Sequence, residues 1–403
     1  MDQPVTHQTA KRNITLQGYI NFLAGVVFLI PLITLFYQYT GLSLMQIIII
    51  SNVASLAVRV FELPTSVRAD TVGRKKSLMM AVICNFLSAL FIFLFPSYVG
   101  FIIAAVMSGL YFAFWSGTGQ AFLDDNLKIL GETSKFWKKI WHFMALESLA
   151  GLITPLVASA LLKFCGESGY TILAGLDVLS AGALIALTLQ LREVQIYQKF
   201  LSRKDSLHQN VTTAKIAIKN VVSNSSLKML LLYRSLANHV SFLFIISLPI
   251  CTQRGMPDWI AGILTTLGVL AMMIANKYTY KIGEKRSYNA ARVVSTVLQA
   301  ILLILVGLFI ENWIVIAGLL IAFNLFEGIR QPARNHVLVE QTQGKAIATT
   351  RSIVFSIFAL YTVLGKQFLS FFDPQYALIG LGIFIILVNV VIWKKILALK
   401  VDD

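Results

Sequence analysis

The chain has 403 residues, of which 57% are hydrophobic and 13% charged, and it carries a formal net charge of +15. A soluble globular domain is about one quarter charged, so half that share excludes a protein whose side chains mostly face water. With 25 glycines and 9 prolines it is neither collagenous nor of low complexity.

Apolar runs long enough to cross a bilayer, which takes roughly 17–25 residues, recur along the whole chain. The first set falls at 15–37, 44–67, 77–96, 101–122, 141–164 and 171–191, and the second at 230–250, 259–279, 287–309, 313–335, 347–369 and 376–393. Short turns such as Tyr39-Thr40-Gly41, Pro96-Ser97-Tyr98 and Phe372-Asp373-Pro374 separate them. Backbone groups in lipid must be satisfied within the segment, so these runs are expected to be helices. They are too long for barrel strands. The expected fold is therefore an all-α integral membrane protein of twelve transmembrane helices.

Charge sets the expected orientation. With the N-terminus inside, nearly every Lys and Arg falls on an inward segment. Only Lys163, Arg254 and Lys366 fall on the outer side, and Arg59 and Arg234 lie within spans. This is the positive-inside pattern of an inner-membrane protein with both termini cytoplasmic. The same spread speaks against nucleic acid as a partner, which needs basic residues gathered into one groove. Lys11 and Arg12 precede a full-length span with no small-residue cleavage site, so no cleavable leader is expected. The three cysteines, Cys84, Cys165 and Cys251, point to no disulfide framework. Residues 192–229 form the longest loop, with seven Lys or Arg among Leu, Ile and Val. They are read as a basic linker lying on the cytoplasmic leaflet.

An internal repeat follows. Residues Ser66-Val67-Arg68-Ala69-Asp70-Thr71-Val72-Gly73-Arg74-Lys75-Lys76 align with Asn276-Lys277-Tyr278-Thr279-Tyr280-Lys281-Ile282-Gly283-Glu284-Lys285-Arg286, with Gly73 over Gly283. The same offset lays the second span over the eighth. The reading is two parallel, pseudo-symmetric six-helix halves, 1–191 and 230–403, joined by the linker 192–229.

The first copy of that repeat resembles motif A of the major facilitator superfamily, Gly-x-x-x-Asp-Arg-x-Gly-Arg-Arg/Lys. Asp70, Gly73, Arg74 and Lys75 match, while Ser66 replaces the first glycine and Thr71 the arginine. The resemblance extends over the chain in span count, linker position and repeat. It implies gating by the loop after the second span, with Asp70 and Arg74 opposite the start of the eleventh near Ala346–Arg351. Thr154-Pro155-Leu156-Val157-Ala158-Ser159 is similar to the Gly-Pro-x-x-Gly-Gly of antiporter members, with small residues at the glycine positions. The fourth-span arginine of many proton-coupled exporters is absent, and Ser116-Gly117-Thr118-Gly119-Gln120 stands there. Phe122-Leu123-Asp124-Asp125-Asn126-Leu127-Lys128 and Glu327-Gly328-Ile329-Arg330-Gln331-Pro332 resemble segments of a bacterial drug-exporter subgroup.

The candidate site residues are polar groups inside spans, where an ionisable side chain costs a few kcal/mol unless paired or hydrated. Asn52, Ser55, Arg59, Glu62 and Ser66 make one stripe on the second span. Asn324, Glu327, Gln331 and Arg334 repeat it on the tenth. Arg234, Asn238 and Ser241, with His239 beside them, mark the seventh. Glu147 lies in the fifth near its cytoplasmic end, and Asp177 in the sixth nearer the outside. Arg59, Glu62, Glu147, Arg234 and Glu327 all fall in the inner half, which implies a polar cavity there. Arg59 with Glu62 reads either as a gating pair or as a substrate or coupling site. His239 reads as a proton carrier or as a satisfied interior histidine.

No Walker lysine loop, paired metal-ligand histidines or Gly-x-Ser-x-Gly elbow occurs, so an enzyme is not expected. With no cofactor or metal implied, drive must come from a proton or other ion gradient. The expectation is a monomeric secondary transporter in the lipid bilayer that exports a small amphipathic organic solute by antiport. The alternative is a permease for a siderophore or other anionic metabolite, with Arg59 and Arg234 suiting an anion. A membrane-embedded enzyme or a receptor is the remote alternative.

Overall fold

A computed structural model describes residues 7–194, 239, 242–285, 288–341 and 359–397, with 63, 66–72, 280–285, 288–289, 332–341 and 392–397 described by backbone alone. The described elements are helical. They run α1 His7–Ala24, α2 Ile33–Tyr39, α3 Leu44–Val72, α4 Arg74–Leu94, α5 Tyr98–Trp115, α6 Thr118–Leu130, α7 Phe136–Cys165 and α8 Ser168–Leu189. After the linker come α9 Phe242–Gln253, α10 Ile260–Lys285, α11 Tyr288–Leu308, α12 Trp313–Gln341, α13 at 359–369 and α14 Pro374–Leu397. Among the described residues, nine helical stretches are long and apolar enough to cross a membrane. Backbone contacts group the chain into two compact units, Met1–Phe36 with Ile50–Val211, and Tyr37–Ile49 with Thr212–Asp403.

Helix starts follow local chemistry. Ser43 and Gln46 form a reciprocal box at the start of α3, with Gln46 N donating to Ser43 Oγ at 3.3 Å and Ser43 N donating to Gln46 Oε1 at 2.9 Å. Ser97 Oγ accepts from Gly100 N at the start of α5.

Two expected spans are not single helices. The run 15–37 is interrupted between Ala24 and Ile30, where a short turn Ile30–Leu32 precedes α2. Gly25 packs directly on the backbone of α7, since a Cβ there would stand 2.5 Å from Glu147 O. A backbone break at membrane depth is tolerated only where its polar groups find partners. Here α8 supplies them. Phe28 N and Leu29 N donate to the Asp177 carboxylate at 2.7 and 3.0 Å, and Ser180 Oγ donates to Val26 O at 3.1 Å. The run 101–122 likewise ends at Trp115, and α6 starts anew after Gly117, whose φ is 76°.

In the first unit α4 packs on α5, α6 and α8, and α1 packs on α6, α7 and α8. Leu16, Ile20, Leu78, Val82, Phe122 and Leu184 close a core between α1, α4, α6 and α8. Leu123 and Leu127 anchor α6 against Ile14 and Phe143. A polar clasp ties α1, α6 and the segment after α8 together. Asn13 Nδ2 donates to Asn126 Oδ1 (2.9 Å) and Arg192 O (3.0 Å), and Arg192 N donates back to Asn13 Oδ1 (3.1 Å). In the second unit α11 packs on α12 and α14, and α12 packs on α9 and α10.

Candidate functional site

Of the candidate carboxylates inside spans, the three expected in the inner half have different surroundings. On α3, Arg59 Nη1 lies 2.9 Å from Glu62 Oε2, one turn along the same face, with both side chains half-buried. The stripe continues with buried Asn52 and with Ser55, whose hydroxyl donates to Ser51 O. On α12, Glu327 is enclosed. Arg330 approaches Glu327 Oε2 through Nε at 2.8 Å and Nη2 at 2.6 Å, and Gln299 Nε2 from α11 donates to the same oxygen at 3.1 Å. Arg330 is 4% exposed. Two buried partners thus hold one Glu327 oxygen and link α11 to α12.

Glu147 is the contrast. It sits on α7 with an exposed side chain, and among the described residues no cation pairs with it. Its carboxylate lies within electrostatic reach of the buried Tyr111 hydroxyl on α5. His142, five residues before Glu147 on α7, is exposed with its ring beside Phe143.

At the loop before α4, Gly73 adopts φ 114°, a left-handed value that favours glycine. Glu193, from the segment after α8, then fits against the helix start. Its two oxygens accept from Arg74 N (3.0 Å) and Lys75 N (2.9 Å), an anion set on the positive end of a helix. Burial pushes its carboxyl up from the ordinary value, and the bonds from the backbone N–H groups of Lys75, Arg74 and Lys76 pull back. The Arg74 guanidinium turns the other way, to Asp125 on α6, at 2.9 Å. Ala346–Arg351, the segment expected opposite Arg74, lies outside the described residues. The Asp70 side chain, Arg234 and Asn238 also lie outside them.

His239 is placed beside α13. Its Nε2 is 3.1 Å from Tyr361 O, and its ring packs against Gly365. Both border a cavity of about 430 Å³ between α13 and α14, lined otherwise by apolar and aromatic side chains such as Phe368, Phe372 and Phe384. Lys366 was read as an outer-side charge near the end of the run 347–369. It is within α13 and 8% exposed.

Sequence reasoning missed three of these residues. Asp125 lies inside a quoted segment, and the one available signal was its spacing from Phe122, which puts it on the buried face of an α6 not then recognised. Glu193 was assigned to the linker, and nothing local distinguishes it. Lys366 was counted with the outer charges, although the apolar residues around it argue for the helix interior.

Residues 16–366 match the sequence model of the Major Facilitator Superfamily. The chain belongs to that superfamily. It is thus a multi-pass membrane transporter, and the all-helical arrangement of apolar spans is its fold. No curated protein matches by sequence. Solved structures similar in fold include the nucleoside transporter NupG (TM-score 0.72, 11% identity, covering 98% of this chain and 100% of that one). A POT family transporter in complex with 5-aminolevulinic acid is similar at TM-score 0.73 and 12% identity, covering 96% of each chain. The xylose transporter XylE from E. coli, inward open, is similar at TM-score 0.64 and 12% identity, covering 96% of this chain and 95% of that one. Identities this low carry the fold and leave the solute to be read from the chain's own residues.

Proposed function

We propose that this superfamily member is a proton-coupled secondary transporter of the inner membrane, exporting a small amphipathic organic solute, with Glu147 as the group that takes up and releases the proton. One observation carries the proposal. Of the three carboxylates in the inner half, Glu62 and Glu327 are each held by an arginine one turn away, whereas Glu147 has no cationic partner among the described residues. A carboxylate held by a guanidinium stays ionised through a transport cycle, whereas one without a cationic partner is free to take up and release a proton.

The wider frame of the proposal is twelve spans in two six-helix halves, 1–191 and 230–403, with the linker 192–229 and both termini cytoplasmic. A recurring hydrogen bond supports the repeat. Thr65 Oγ1 donates to Ala113 O between α3 and α5 (2.9 Å), and Thr279 Oγ1 donates to Gly328 O between α10 and α12 (3.2 Å). Asp70, Gly73, Arg74 and Lys75 form the cytoplasmic gate in this reading, and Arg234, Asn238 and His239 belong to the solute or coupling site. The transporter works as a monomer on an ion gradient, without a bound cofactor, within the drug-exporter-like subgroup. Growth of a deletion strain across toxic amphipathic compounds and iron-limited media tests it. Sensitisation to at least one such compound, reversed by the intact gene, is the expected result. A growth defect confined to iron limitation would instead favour siderophore movement.

A further inference from the structure

The interruption of the first span sets a carboxylate beside open backbone. Asp177 stands in the middle of α8, a stretch long and apolar enough to cross a membrane. Among the described residues no Lys, Arg or His pairs with it. Phe28 N and Leu29 N take one acceptor position on each of its oxygens, out of about four that a carboxylate has. An ionised carboxylate at membrane depth is retained only where a cation or water compensates it.

Asp177 borders a cavity of about 50 Å³ enclosed by the break, α4, α5 and α8. The groups around it are oxygen acceptors. Ser88 donates its hydroxyl proton to Ala104 O, and Ser180 donates to Val26 O and Asp177 O, so each has only lone pairs left for a ligand. Asn85 and Ser108 also line the cavity, and neither side chain makes a hydrogen bond among the described residues. At the break, the carbonyls of the lining residues Ala24 and Val27 likewise accept none among the described residues. Such open carbonyls are costly away from water, and irregular backbone at this depth is found where it lines a cavity.

An acceptor-rich cavity with one carboxylate and no cationic side chain suits a cation. Its volume is that of one or two waters, at about 30 Å³ each, and falls far below the roughly 300 Å³ of a small organic-solute site. One carboxylate balances one positive charge, and carboxylate, amide, hydroxyl and carbonyl oxygens are the ligands a hard cation takes. We propose that this cavity is a sodium-ion site. Asp177 supplies the charge, and Asn85, Ser108, Ser180 and the carbonyls of the break complete the oxygen shell. Potassium, the larger ion, fits less well in so small a space. Glu147 does not line the cavity, so the site is additional to the proposed proton-carrying group.

The test is equilibrium dialysis of radioactive sodium against the full-length protein in dodecyl maltoside, at constant ionic strength in choline chloride. The parent is expected to bind one ion per chain saturably, and unlabelled sodium to displace it at lower concentration than potassium. Asp177→Asn removes the charge but keeps an acceptor for the break, and is expected to bind sodium at least about tenfold more weakly. The double variant Asn85→Leu with Ser108→Ala leaves the partners of Phe28 and Leu29 in place, and is expected to weaken binding as well. Thermal unfolding in the absence of sodium confirms that each variant is folded. No saturable binding by the parent, equal displacement by potassium, or unchanged binding in Asp177→Asn overturns the proposal. Where Asp177→Asn fails to fold, the double variant decides, and unchanged binding in it overturns the proposal too. No gradient or transport enters this assay, so its result is independent of the coupling role of Glu147.

Discussion

Arg74 Nη1 lies 2.9 Å from Asp125 Oδ2, joining the first residue of α4 to the middle of α6. The nitrogen makes no aligned hydrogen bond, so the contact is one of charge. Both side chains are largely shielded, at 22% and 12% exposure. Removing one partner from such a pair leaves the other uncompensated, which for this partly shielded case costs about 1–3 kcal/mol. Asp125→Asn and Arg74→Gln are each expected to lower the midpoint of thermal unfolding in detergent. The double variant is expected to lose less than the sum of the two. Strict additivity would show that the two charges do not interact.

Glu193 sets a pH-dependent cap on the same helix. Burial raises its carboxyl above the ordinary 4.5, so the folded chain holds this proton more tightly than the unfolded one. Its contribution is complete below the ordinary value and declines as pH rises through the raised one. Unfolding midpoints measured upward from about pH 4.5 are expected to show this decline in the parent, flattened in Glu193→Gln. Identical pH profiles for the two proteins would contradict it.

Gly73 is tied to that cap. Its φ is 114°, and a Cβ on it would stand 2.7 Å from Glu193 Oε2. Gly73→Ala is expected to cost about 1–3 kcal/mol through backbone strain, and to cost less when Glu193 is also shortened to Ala. An Ala variant as stable as the parent would show that the turn relaxes.

Asp177 carries the interrupted first span. Its carboxylate accepts from both Phe28 N and Leu29 N. Asp177→Ala strands two amides at membrane depth, at about 1–3 kcal/mol each. Asp177→Asn keeps one acceptor oxygen and is expected to lose roughly half as much. Yield of folded protein and thermal unfolding in detergent check the order. Equal stability of the Ala and Asn variants would assign the break to packing of Gly25 on α7.

The apolar spans were legible because membrane burial acts on every residue of a run, and the wheel spacing of Arg59 and Glu62 was enough to pair them. The interruption at Ala24–Ile30 was not legible. Val26, Val27, Phe28 and Leu29 are as apolar as any span interior, and the residue that satisfies the break, Asp177, is on α8. Glu193 and Asp125 escaped for the same reason: each acts through space on the start of α4, and neither has a local partner. The burial of Lys366 was not anticipated, because a lysine near an expected span end looks like a solvated charge, whereas α13 holds it at 8% exposure.

The coupling role of Glu147 is tested most directly in proteoliposomes with an imposed pH gradient, using whichever compound sensitises the deletion strain. Gradient-driven accumulation in Glu147→Gln is predicted to fall to the level of protein-free vesicles, while solute exchange without a gradient continues at the parent's rate. Accumulation by Glu147→Gln against the gradient at the parent's level would contradict the account.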